Sequence, residues 1–229
     1  PYSNLLPTDP STGKTVVTGC TNTAMAMIVA YYGCIGVNNK LYKRGCGSTD
    51  AYKKGKCSLP ALSPIMLFDY DNLNFIKAAD FKTTESKQAV AEWMKYIGYA
   101  SQANYSSSGT STSVSTSLNV AKNKLHIGPS SAKIIYASSG LDGFKNKVYN
   151  ELIQGYPVHL SGWNSQGSGG HSFICDGYDS VTDKFHFNWG WSGNYDGWFD
   201  MAILKANTSN DFSYNKQAMI GLHPEYIFG

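Results

Sequence analysis

Apolar residues run almost without a break from Ala24 to Tyr32. A helix with that pattern has no polar face and must be buried on all sides. The pattern predicts a helix over Cys20 to Tyr32, with Thr18 as N-cap and Gly33 just past its end. A second helix is predicted over Glu85 to Ile97, where Val90, Trp93, Met94 and Ile97 fall at i, i+3, i+4 and i+7 and Gly98 ends the run. Between Ser101 and Ser117, eleven of seventeen residues are Ser or Thr, the composition of a linker. Val114, Leu118, Ala121 and Leu125 then keep helical spacing, so this stretch reads as a loop feeding a third helix that Gly128-Pro129 stops. A fourth helix is predicted over Asp142 to Gln154, with Asp142 as N-cap and Phe144, Val148 and Leu152 on one stripe.

From Pro157 the character changes. PVHLSGW, HSFICDGY, KFHFNWGW, GWFDMAIL and QAMIGLH read as strands separated by turn residues. Helices early and strands late give an α+β pattern. Pro1 to Lys14 reads as an extended lead-in and Gly33 to Pro64 as a long loop region. The expected organisation is one domain over 1–229, helix-rich mainly over 15–156 and β-rich mainly over 157–229, with the N-terminal segment crossing between the two parts.

Composition narrows the function classes. The chain has 229 residues, of which 42% are apolar, 15% charged and 14% aromatic. Ser, Thr, Asn and Tyr must therefore cover much of the surface, as is common outside the cell. The net charge of +3 is spread out, and its densest stretch, Lys40 to Lys56, reads as a Gly-containing loop rather than a nucleic-acid motif. The apolar run of the first helix is far short of the roughly twenty residues a membrane span needs. The start at Pro1 points to a processed or trimmed product. Five cysteines leave at least one thiol free. A Cys46–Cys57 disulfide is expected in the loop region that also holds Cys34, and Cys175 is expected to be a buried filler. The Cys34, Cys46 and Cys57 spacing matches no zinc motif, so no metal site is expected.

Cys20 opens the first helix, where N–H groups and the positive dipole end favour a thiolate. A nucleophile also needs a base from elsewhere in the fold. His171 follows SQGSGG and opens a strand, and the turn DSVTDK should fold that strand back so that Asn188 and Trp189 lie near it. An Asn or an indole there would hold the imidazole while it takes the Cys20 proton and later protonates a leaving amine. Each feature alone is more often structural: a Cys at a buried helix start, a His before a strand, an Asn-Trp-Gly-Trp run in a β-core or a sugar-stacking surface. Their order along the chain is what raises the enzyme reading.

The ordered set TGCTNTAMAMI, GGHSFICDGYD and FHFNWGWSGNYDGWF resembles the streptopain-like secreted bacterial cysteine peptidases, relatives of papain, and the early PYSNLL and the YSSSGTS loop also fit. The resemblance implies a papain-like two-lobe α+β fold, a helical lobe carrying Cys20 and an antiparallel β-lobe carrying His171. It implies Cys20 as nucleophile and His171 as general base and acid, with the Trp189 indole beside the histidine where papain has an Asn. Ser108 and Thr110, with Gly109 between them, and Gly170, with Gly169 before it, fall where the family binds substrate backbone. Ser161 takes a cleft-facing polar position, in a segment slightly longer than the family's. Trp163, Trp189 and Trp191 would wall an apolar pocket. The family's oxyanion-hole Gln falls just upstream of Pro1, and Gly33 to Pro64 has no family counterpart.

The expectation is a cysteine endopeptidase that hydrolyses protein or peptide substrates through a Cys20 thioester. It needs no cofactor, is made with an N-terminal propeptide and is secreted or held at the bacterial surface. The alternatives are a Cys-His amidase or acyltransferase acting on cell wall, and a non-enzymatic, aromatic-rich carbohydrate- or surface-binding module.

Overall fold

A computed structural model describes residues 3–37, 40–73 and 83–224. Pro1 and Tyr2 of PYSNLL, and residues 38–39 of the expected loop region, lie outside the described residues. The chain divides into two compact units, Pro1–Ile127 and Gly128–Gly229. The division falls well before the change of pattern at Pro157, because the fourth helix packs on the sheet that follows it.

In the first unit, helix α1 (Cys20–Ala30) is buried nearly all round, with Ala24, Met25, Ala26 and Ile28 fully enclosed. It runs into a π-type turn, Tyr31–Ile35, that ends at Gly36. Helix α1 packs against α2 (Thr84–Ala100) and α3 (Val114–Asn123). The Trp93 indole of α2 donates to the Ala26 carbonyl at 3.2 Å. Thr83 and Ser113 cap α2 and α3, accepting from Ser86 N–H and Thr116 N–H, as short hydroxyl side chains do at helix starts. Helix α2 passes through Gly98 instead of ending there, and α3 stops at Asn123, short of Gly128-Pro129.

Two expected caps are corrected. Gly19, not Thr18, is the N-cap of α1, and the Thr18 hydroxyl pairs with Thr23 Oγ1 at 3.1 Å. Gly140, not Asp142, precedes helix α4 (Leu141–Leu152), and Asp142 lies in the first turn, where a carboxylate favours the helix dipole.

The loop region holds a short hairpin, β1 (Tyr52–Lys54) with β2 (Cys57–Leu59). The expected Cys46–Cys57 disulfide is absent; both thiols are free and buried. Cys46 bridges to Ile65, donating its N–H at 2.7 Å, whereas Cys57 packs in a cluster with Leu6, Val16, Tyr99 and Tyr105. Cys57 thus fills apolar space as a small hydrophobe, whereas the Cys46 thiol is buried beside the Tyr96 hydroxyl.

The second unit is a sheet of six strands among the described residues, ordered β3-β8-β4-β5-β6-β7, with every neighbouring pair antiparallel. The strands are β3 (Lys133–Tyr136), β4 (Val158–Trp163), β5 (Gly170–Asp179), β6 (Lys184–Asn188), β7 (Gly197–Phe199) and β8 (Tyr214–Ile220). Strand β3 was not expected; its four residues are too few to show an alternation. Of GWFDMAIL only the first three residues are strand. Phe144 and Val148 of α4 join Leu160, Phe173, Phe187 and Trp189 in one core.

Candidate active site

Cys20 stands at the first position of α1 and is partly exposed. Gly19 before it has φ +84°, a conformation that side chains resist. A Cβ at Gly19 would also lie 2.8 Å from the Thr110 carbonyl oxygen. The turn is tied down on its other side. Asn22 Nδ2 donates to the Thr18 carbonyl at 2.9 Å, and Asn22 Oδ1 accepts from Ser101 Oγ at 2.9 Å. Thr21 Oγ1 donates to the Thr112 carbonyl. The start of α1 is thus fixed while Gly19 offers no side-chain cap, which leaves this end suited to an anion.

The Ser/Gly loop expected to bind substrate packs in the same unit. Ser108 and Gly109 are exposed, and Thr110 is buried with its hydroxyl accepting from Ser106 N–H. Asp9, which the sequence reading did not single out, braces this loop. Its carboxylate accepts from Ser107 N–H and Ser107 Oγ, both at 3.0 Å, and from Ser11 N–H and Oγ at 2.9 and 2.6 Å. Those hydrogen bonds, the Ser11 hydroxyl first, hold its carboxyl far below the usual carboxylate range. The Asp9-Pro10-Ser11 run, a turn signature in which Asp bonds the backbone two residues on, was the available signal.

In the second unit, His171 sits on β5 opposite Gly162 of β4. The preceding Gly170 is needed for space, since a Cβ there would lie 2.7 Å from the Trp163 indole nitrogen. His171 Nε2 lies 2.7 Å from the Trp189 carbonyl oxygen. A carbonyl only accepts, so Nε2 carries the proton and the neutral ring keeps its lone pair on Nδ1. The imidazole stacks on Trp191, with centroids 4.6 Å apart and planes 24° apart, and meets Phe212 in a tilted contact at 5.0 Å. Burial in this aromatic slot pushes its pKa below the ordinary histidine value, with the Trp189 carbonyl pulling the other way.

Trp189 is fully buried beside His171, with ring planes 21° apart. Its indole N–H donates to the Tyr195 carbonyl and its backbone N–H to Asp196 Oδ1, both at 2.9 Å. The Trp189 indole lies stacked beside the imidazole, but its nitrogen bonds elsewhere, and the expected hold by the Asn188 amide is corrected. Asn188 Oδ1 instead accepts from Gly190 N–H at 2.9 Å.

Ser161 is likewise corrected. It is buried, and its hydroxyl pairs with Ser172 Oγ at 2.8 Å, so it does not face a cleft. Gly169 is held by Asn164, whose N–H donates to the Gly169 carbonyl at 2.8 Å. Among the described residues no group of three or more His, Cys, Asp or Glu side chains is disposed to hold a metal ion, and no helix is long and apolar enough to cross a membrane.

The model of the peptidase C10 family matches residues 1–199. Streptopain from Streptococcus pyogenes is 25% identical over 218 residues, covering 93% of this chain and 54% of its own length. The thiol protease/hemagglutinin PrtT of Porphyromonas gingivalis is 25% identical over 98% of this chain and a quarter of its own length. The chain thus spans about half the length of the curated streptopains it matches. Among solved structures, active interpain A cysteine protease from Prevotella intermedia shares the fold, with a TM-score of 0.81 at 24% identity over 97% of this chain and 89% of that one. A prointerpain A fragment superposes with a TM-score of 0.76 over 98% of this chain and 68% of its own. The fold is the α+β, papain-like one, its helical unit carrying Cys20 and its antiparallel sheet carrying His171.

Proposed function

We propose that this chain, which belongs to the peptidase C10 family, is a cysteine endopeptidase with Cys20 as nucleophile and His171 as general base and acid. The observation that carries this reading is the 2.7 Å approach of His171 Nε2 to the Trp189 carbonyl oxygen. The Nε2–H is committed to that carbonyl, which leaves Nδ1 as the proton acceptor. That is the state a general base requires.

The chemistry follows. His171 Nδ1 takes the Cys20 thiol proton, and the thiolate attacks the scissile carbonyl carbon. The developing oxyanion accepts from the Cys20 backbone N–H at the start of α1. The imidazolium gives its proton to the leaving amine, which departs and leaves a thioester on Cys20. Water, with His171 again as base, attacks the thioester; the acid product leaves and the thiol re-forms.

Ser108, Gly109, Thr110, Gly169 and Gly170 are assigned to substrate backbone and Trp191 to the wall of an apolar pocket. Substrates are proteins or peptides. An N-terminal propeptide in the precursor is supported by the pro-form of interpain A. A secreted or surface location is supported by the sparsely charged composition.

The test is hydrolysis of casein and of fluorogenic peptides by the wild-type chain, Cys20→Ala and His171→Ala. Both variants should lose turnover, and an epoxide inhibitor of papain-like enzymes should add once, at Cys20. Full activity in Cys20→Ala would overturn the reading. Amine incorporation or peptidoglycan cleavage without casein hydrolysis would move it to the acyltransferase or amidase class.

A further inference from the structure

We infer that Asn188 is a positioning residue that sets His171 through a single peptide group. The inference rests on the role of His171 proposed above. The peptide joining Trp189 to Gly190 is one rigid plane. At one end its carbonyl accepts from His171 Nε2–H at 2.7 Å; at the other its N–H donates to Asn188 Oδ1 at 2.9 Å. Fixing either end fixes the direction of the other.

That plane needs fixing. Trp189 is anchored on its N-terminal side by Asp196 and through its indole by Tyr195. What remains soft is rotation of the next plane about Trp189 ψ and Gly190 φ. Gly190 has φ +75°, and a glycine restrains that rotation least of any residue. The side chain of Asn188 closes the joint from the end of β6. Accepting from the N–H also polarises the same peptide, which makes its carbonyl a stronger acceptor for Nε2–H. The effect on the imidazole is selection of the Nε2–H tautomer and of one ring orientation, the two things a base acting through Nδ1 needs. Papain-type enzymes assign this work to an Asn that touches the histidine; here the amide is one peptide removed and its oxygen is already committed.

Asn188→Leu removes the acceptor at nearly constant volume, and Asn188→Asp restores it. Two readouts separate positioning from general structural support. The first is steady-state hydrolysis of a fluorogenic peptide. Asn188→Leu should lower kcat by about tenfold to a hundredfold, the scale of a misplaced catalytic group, while KM stays within about twofold, because substrate contacts are intact. Asn188→Asp should recover most of the loss. The second is the nitrogen NMR spectrum of His171 in a Cys20→Ala background, where no turnover is needed. The parent should show the Nε2–H tautomer, and Asn188→Leu should show a mixture.

A kcat within twofold of the parent in Asn188→Leu, or an unchanged tautomer, would overturn the inference. If the Leu variant does not fold, Asn188→Ala takes its place with the same outcomes. Failure of the endopeptidase reading looks different: the parent chain would cleave no peptide, while the tautomer measurement would still decide the role of Asn188.

Discussion

Gly19 stands against Thr110 with no room for a side chain, since a Cβ there would fall 2.8 Å from the Thr110 carbonyl oxygen and 3.1 Å from its methyl carbon. The same residue sets the entry into α1 at φ +84° and ψ +144°, a region nearly reserved for glycine. Gly19→Ala should therefore cost about 1–3 kcal/mol from backbone strain. It should also move the Cys20 N–H from the place where an oxyanion would bind. The expected outcome is a thermal midpoint lower by several degrees, about 2–4 °C per kcal/mol for a chain of this length, and a loss in kcat larger than that in stability implies. Wild-type kcat in Gly19→Ala would mean that the start of α1 tolerates displacement.

The Asp9 brace gives an acid-side prediction. Its folded-state pKa is depressed by the Ser11 and Ser107 hydrogen bonds. A depressed carboxylate stabilises the native state above its unfolded pKa, near 4, and that contribution is lost as pH falls below it. Asp9→Asn should therefore lower stability at neutral pH and flatten its fall on acidification. Because Ser107 adjoins Ser108 and Gly109, the variant should also raise KM for peptides more than it lowers kcat. Hydrolysis kinetics beside thermal melts from pH 3 to 7 check both. Identical acid limbs in the two proteins would show that the Asp9 bonds do not persist in solution.

His171 titrates in the opposite sense to a salt-bridged histidine. Burial in the Trp191–Phe212 slot lowers its pKa. A histidine held low favours the native state while neutral; that contribution is full above the unfolded value of about 6.5 and fades as pH falls toward the folded one. In Cys20→Ala the ring should titrate below 6.5 by proton NMR, and Trp191→Ala, which opens the slot to water, should bring the midpoint upward. A midpoint at or above 6.5 in Cys20→Ala would show that the slot is hydrated.

These two groups also show how much a sequence discloses. Cys20 and His171 were legible because each sits where an element begins, after glycines that mark a close approach. The unbroken apolar run of α1 and the apolar, strand-like run of β5 placed them on a helix and a strand. The partner of His171 was not legible, because it is a main-chain carbonyl, and every residue carries one. Asn188 and Trp189 were singled out for their side chains, whereas the structure uses the Trp189 backbone and turns the Asn188 amide to Gly190. Ser161 rested on the resemblance, which carries a position along the chain but not its burial, and its hydroxyl pairs with Ser172 inside the sheet. The Cys46–Cys57 pairing rested on proximity along the chain, and nothing in the sequence showed that the two thiols are buried apart.

Gly98 and Tyr105 form the last test, one in which a helix rule should fail in sign. Gly98 lies within α2, where Gly→Ala ordinarily stabilises by about 1 kcal/mol. Here a Cβ would press on the Tyr105 hydroxyl and lie 2.9 Å from Cζ, so Gly98→Ala should destabilise. Tyr105 Oη is itself buried without a hydrogen-bond partner among the described residues, a burden of about 1–3 kcal/mol. Tyr105→Phe should then raise the unfolding midpoint by itself and remove much of the penalty at Gly98. A double-mutant cycle by denaturant unfolding should return a favourable coupling of about 0.5–3 kcal/mol, the range for residues in contact. If Gly98→Ala stabilises both backgrounds equally, α2 does not approach Tyr105 closely enough to require its glycine.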